Sequence, residues 1–192
     1  MPKANSEVLD FLRTRRSRPA KSLGLPVPDE AALAPIFEAG LRVPDHGKLE
    51  PWRLIVLQGE ALARLAALTE ARATEMGHAA EQIAKSKSQF ADAGLVVAVI
   101  SSPVISEKVP QVEQILSAGA VCLSLLNAAA AAGWGANWLS GWMALDPAFL
   151  QQGLELAPDE FVAGFIHIGT ERAAPPERPR PDIAAKTSWM RA

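Results

Sequence analysis

Arg15, Arg16, Ser17 and Arg18 stand together where a first amphipathic segment ends, and fork-shaped guanidinium groups beside a hydroxyl hold a phosphate and a polyol chain well. The same residues also suit a solvated helix end, where cations are favoured in any case. Arg42-Val43-Pro44-Asp45-His46 is a second basic group. Arg42 can stabilise negative charge and His46, in a proline-fixed turn, can donate a hydrogen bond to the same ligand, or both can simply be exposed. A third segment, from Gly133 to Trp142, sets Trp134, Trp138 and Trp142 among Gly133, Gly135 and Gly141. Backbone amides there can approach a planar ligand flanked by aromatic rings, or the tryptophans can pack in a core.

Other chemistries lack their residues. His46, His78, His167 and Cys122 are scattered without metal-ligand spacing, and the glycine fingerprints of phosphate loops and dinucleotide folds are missing. Cys122 has no second cysteine to pair with and reads as a small core residue in a reducing compartment. A net charge of -2 gives no broad attraction for nucleic acid or an anionic membrane. The charged N-terminal stretch shows no export signal, which predicts a cytoplasmic protein. The most apolar region, Ala118 to Ala132, is broken by Ser124 and Asn127 and reads as a buried helix too short to span a membrane.

Those groups need elements to position them. Ser6 predicts the cap of a first helix running to about Thr14, and Pro19 to Pro28, with three prolines and Gly24, predicts a loop. Asp29 can cap a second helix carrying Leu33, Ile36, Phe37 and Leu41, in which Pro35 predicts a kink or a later start. Trp52 to Leu57 is the first predicted strand. Helices over Glu60 to Met76 and Ala79 to Phe90 follow, an excursion placed to cover the site or a dimer edge. Leu95 to Ile100 suits a central strand and about Val109 to Ala132 the principal core helix. Strands over Trp134 to Leu139 and Phe161 to Ile168 flank a helix from Pro147 to Leu156. Four strands and about six helices, without regular alternation or repeat, predict a mixed α+β sandwich forming one domain over residues 1–192. The proline-rich end, Ala173 to Pro181, needs a surface to lie on, which another subunit can supply.

In order, these segments resemble the nitroreductase family of FMN enzymes, particularly its smaller bacterial members. The resemblance rests on Arg15-Arg16-Ser17, Ala39-Gly40-Leu41-Arg42-Val43-Pro44-Asp45-His46, Pro51-Trp52-Arg53, Ser117-Ala118-Gly119-Ala120, Gly135 to Gly141, Gly164 to Thr170, and Glu177 to Asp182. It covers nearly the whole chain. It implies an α+β sandwich, a central mostly antiparallel sheet flanked by helices, in an interlocked homodimer with an FMN in each shared cleft. The tail, about 173–192, would wrap the partner subunit. By similarity, Arg15, Arg16 and Ser17 hold the phosphate and ribityl end of FMN, and Arg42 and His46 belong to the flavin cleft. Asn137, Trp138 and Leu139 line the flavin from the strand side, and Arg178 or Arg180 reaches the phosphate. The chain departs from the family at Leu49-Glu50, where many members carry an amide before the Pro-Trp pair, and at Leu139, where close relatives can carry arginine.

The implied activity is hydride transfer from NADH or NADPH through FMN to a small organic electron acceptor such as a nitroaromatic or quinone. No protein residue need act as nucleophile or general base. Two alternatives stay open: a specialised family reaction such as reductive dehalogenation, and a non-catalytic flavin-binding module or dimeric scaffold.

Overall fold

A computed structural model describes residues 3–191, so residues 1, 2 and 192 of the predicted domain lie outside the described residues. Its sheet contains β1 (Leu23–Gly24), β2 (Trp52–Leu57), β3 (Val96–Ser101), β4 (Gly135–Leu139) and β5 (Phe161–Glu171). Every pairing is antiparallel, with β5 joined to β1, β3 and β4, and β3 joined in turn to β2. The helices are α1 (Ser6–Thr14), α2 (Glu30–Gly40), α3 (Glu60–Glu75), α4 (Ala80–Ala91), α5 (Gln111–Ala131), α6 (Pro147–Leu154) and the short α7 (Ile183–Lys186). The predicted α+β architecture is the one observed.

Strand β3 is buried from end to end, because its alternate side chains enter two cores. Val96, Ala98 and Ile100 pack under α3, α4 and α6 with Leu65, Phe90, Phe149 and Phe165. Val97 and Val99 pack under α2 and α5 with Ile36, Val121, Leu125 and Ile166. Phe165, fully buried, meets Phe90 edge to face at 5.2 Å. Truncating it to alanine would cost roughly 3–5 kcal/mol through the cavity left behind. A bulge in β5 opposite Val99 and Ile100 resets the alternation, so that Val162 and Phe165, three residues apart, share one face.

Several boundaries differ from the prediction. Asn5, not Ser6, caps α1, its side chain accepting from the Val8 amide at 3.1 Å. Both residue types cap well, and spacing alone does not choose between neighbours. Asp29 does cap α2, which continues through Pro35 to Gly40, anchored by buried Leu33 and Ile36. The fifth strand, β1, lies in the proline-rich stretch read as loop and draws β5 out to Glu171, pairing Leu23 with Glu171 and Gly24 with Thr170. Two residues carry no periodicity to read. Helix α5, Gln111–Ala131, falls within the predicted Val109 to Ala132; its 21 residues are long and apolar enough to cross a membrane, although the run Ala118 to Ala132 alone reads as too short. Its buried side chains, among them Val121, Cys122, Leu125 and Ala129, are instead used to cover the sheet.

Candidate functional site

The loop after α1 is tied to the edge of β4. The Arg18 amide donates to the Ala136 carbonyl at 2.8 Å, and Asn137 Nδ2 donates to the Arg18 carbonyl at 2.6 Å. Arg18 Nε also pairs with Glu171 Oε2 at 2.7 Å, which fixes the loop to the end of β5. The C-terminal tail then folds back over the loop. Arg16 Nη1 donates to the Pro176 carbonyl at 2.7 Å and Arg180 Nη2 to the Arg13 carbonyl at 3.0 Å. Glu177 sits between them, 3.5 Å from Arg16 and 2.7 Å from Arg180.

These ties enclose a cleft of about 480 Å³ bordered by Arg15, Arg16, Ser17, Asn137, Arg178 and Arg180. Arg13 adds a fifth guanidinium to its lining. Among the described residues, no carboxylate pairs with Arg15 or Arg178. A cleft with this excess of cations, a hydroxyl and an amide suits a phosphate on a polyol chain.

A second cavity, of about 330 Å³, shares Pro19 and Asn137 with the first. Leu139 and His167 line it from the sheet, and Lys85 and Gln89 from α4. Strand alternation explains which β4 side chains reach it: Asn137 and Leu139 share a face, and Trp138 lies on the other. Trp138 Nε1 donates to the Ala163 carbonyl at 3.2 Å, and its ring fills the space beside Gly164, where a Cβ would lie 2.2 Å from that nitrogen. Trp138 can therefore meet a ligand in this cavity only through its backbone. Trp134 packs with the α5 core, and Trp142 packs with Phe149 at 5.8 Å while donating to Ser86 Oγ at 3.3 Å. The three tryptophans serve three separate packing sites, and Trp134 also borders a pocket with Arg15 and Arg16. Cys122 is buried in the core, which pushes its thiol up to about 12.

Arg42 and His46 border neither cavity. The Asp45 carboxylate accepts from the Leu49 and Glu50 amides at 3.2 and 2.8 Å, closing a turn that contains Gly47 at φ 75°. His46 Nδ1 lies 2.6 Å from Glu113 Oε2 near the start of α5. Ser117 Oγ donates to the Pro44 carbonyl at 2.7 Å and receives Trp52 Nε1 at 3.1 Å, which holds the turn against α5. Next along β2, Arg53 makes two 2.8 Å bonds to Glu160, and these hold the Glu160 carboxyl down at about 2. That pair joins β2 to the start of β5 and borders neither cavity.

His167 and Gln89 were not singled out as ligand residues by sequence. The available signal was a lone histidine in the apolar run of β5, while Gln89 carried none. His167 is buried, and burial pushes its imidazole down to about 4, leaving it neutral near pH 7.

A profile described as the nitroreductase family matches residues 12–170. The chain belongs to the nitroreductase family. It is 32% identical over 164 residues to YdjA of Escherichia coli K12, named as a candidate NAD(P)H nitroreductase, across 85% of this chain and 88% of that one. Its fold matches a nitroreductase-like protein of Bacillus cereus with a TM-score of 0.80 at 21% identity, covering 99% and 98% of the two chains. It also matches a protein of Desulfovibrio desulfuricans in complex with FMN, named as a candidate nitroreductase, with a TM-score of 0.72 at 24% identity and 96% of each chain. The nitroreductase-family match takes in Arg15 to Ser17, Arg42, His46 and Asn137 to Leu139, and stops before the tail that brings Arg178 and Arg180 to the cleft.

Proposed function

We propose that this chain is an FMN-dependent oxidoreductase that passes hydride equivalents from NADH or NADPH to an organic acceptor such as a nitroaromatic or quinone. The observation that carries the reading is the cationic cleft. Arg15, Arg16 and Ser17 from one end of the chain, Asn137 from β4, and Arg178 and Arg180 from the other end converge there. Bound FMN would supply the hydride-accepting and hydride-donating chemistry. The arginines would neutralise its phosphate, Ser17 would bond the ribityl chain, and Asn137, by anchoring the Arg18 carbonyl, would keep the loop in place. The adjoining cavity between β4, β5 and α4 is left for the ring.

We further propose that the whole chain is one domain that works as a cytoplasmic homodimer, with each flavin between two copies. Val112, Ile115, Leu116 and Leu123 stand exposed at helical spacing on α5, and Val8, Leu9 and Leu12 do the same on α1. Ile183, Trp189 and Met190 in the tail are also exposed, which fits a tail lying on a second copy. That arrangement would bring a partner's Arg42 and His46 to the flavin.

The test is to add FMN to purified protein, desalt it, record the visible spectrum and follow steady-state kinetics with a quinone. Retained flavin and a parallel-line pattern, in which nicotinamide leaves before the acceptor binds, are expected. A colourless protein would overturn the reading in favour of a dimeric scaffold, and kinetics requiring both substrates bound together would overturn the alternating scheme.

A further inference from the structure

The second cavity contains polar groups whose bonding capacity the fold leaves unused. His167 lines it from β5 at 3% exposure, and its Nε2 has no hydrogen-bond partner. Gln89 lines it from α4, and its Oε1 is likewise buried and unpartnered. Buried side-chain polar atoms are nearly always bonded, so two unpaired ones carried by residues that line one cavity of about 330 Å³ require an explanation.

The placement of His167 is deliberate in terms of the strand. The β5 bulge puts Phe165 on the α4 side, and His167 follows two residues later on the same side, opposite Asn137 in the β4 register. The Asn137 Nδ2 group is already committed to the Arg18 carbonyl, and Lys21, Lys85 and Asp92 line the cavity as exposed charges, which leaves His167 and Gln89 as the residues whose uncommitted atoms are buried. Because Pro19 and Asn137 border both cavities, a ligand held by its phosphate among the arginines can extend its other end to this pair.

A neutral imidazole and a primary amide offer both donors and acceptors. Their complement is a ring edge that alternates carbonyl oxygens with N–H, and a plain hydrocarbon ring would leave both unpaired. We propose that His167, with Gln89, hydrogen-bonds the polar edge of the flavin ring and so makes the site specific for a heteroaromatic cofactor. This rests on the FMN reading above. Burial keeps the imidazole neutral, which preserves one donor and one acceptor nitrogen for the ring.

The experiment measures FMN binding by flavin fluorescence and ribitol 5-phosphate binding by competition. It compares wild type with His167→Phe, which keeps an aromatic ring, and Gln89→Met, which keeps length. Each variant should bind FMN about tenfold more weakly while holding ribitol 5-phosphate as before. In parallel, ring-nitrogen NMR of wild type labelled at histidine should show His167 shifting when FMN is added. Unchanged FMN affinity, equal loss of both ligands, or a His167 signal that FMN leaves unmoved would overturn the proposal while the FMN reading stands. Wild-type protein that binds no FMN would overturn both.

Discussion

The two basic segments of this chain differ in what the fold does with them. Arg15-Arg16-Ser17 is enclosed: β4 holds its loop, the tail covers it, and a cleft results. Arg42 to His46 is held from behind by Ser117 and Trp52 but opens onto neither cavity, with His46 paired to Glu113. The difference teaches that a single chain encloses only the first of these segments, and that Arg42 and His46 would reach the proposed site only through the proposed dimer. The apolar stripe on α5, close to the His46 turn, is the surface through which that copy would come.

The largest effect is expected from breaking that stripe. Leu116→Asp places a charge on an exposed helix position, so the chain should still fold, but the dimer should fail because a charge cannot be buried unpaired. Loss of FMN affinity by roughly a hundredfold or more should accompany a monomeric sedimentation profile. A monomer that keeps FMN would show that the enclosed half suffices. Arg16→Ala comes next. It removes a charge-assisted contact, and FMN binding measured by calorimetry should weaken by about 1.5–3 kcal/mol. Unaltered affinity would remove Arg16 from the phosphate site.

Glu160, which borders neither cavity, provides a stability control. Its folded carboxyl is held at about 2 against an ordinary value of 4.5, so the stabilisation is complete above pH 4.5 and is lost as pH falls towards 2. Allowing for the partial exposure of Arg53, Glu160→Gln should cost about 2 kcal/mol at pH 7, a gap that closes across that window. Denaturation midpoints measured from pH 7 to 2 check this, and FMN affinity at pH 7 should not change. The smallest effect belongs to His46→Ala. An exposed pair contributes under about 1 kcal/mol to folding, so the melting curve should barely move. FMN affinity should still drop by a few-fold if the partner's His46 reaches the flavin.

Much of the fold was legible because long segments repeat their signal. The apolar run of β3 and the length of α5 announced two buried elements, and Asp29 marked the start of α2. The two residues of β1 had no such repetition, and its partner strand β5 determines that it forms. In the site, the cluster Arg15-Arg16-Ser17 was readable locally, while its union with Arg178 and Arg180 was reached only through resemblance, since the tail's path is a tertiary fact. The tryptophan segment shows the limit of composition. Three aromatic rings look like a ligand cage, yet strand alternation turns Trp138 away and leaves Asn137 and Leu139 facing the cavity. His167 and Gln89 were hidden for the same reason, because only packing α4 over β4 and β5 creates the space that makes their unpaired atoms noticeable.

The most direct test of the central claim is an anaerobic titration of the FMN-loaded, desalted protein with NADH and with NADPH, followed in the visible flavin band. Bleaching at about one nicotinamide per bound flavin, reversed by adding a quinone, is the predicted result. Flavin that stays oxidised with both nicotinamides would contradict the oxidoreductase account and leave a flavin-binding module in its place.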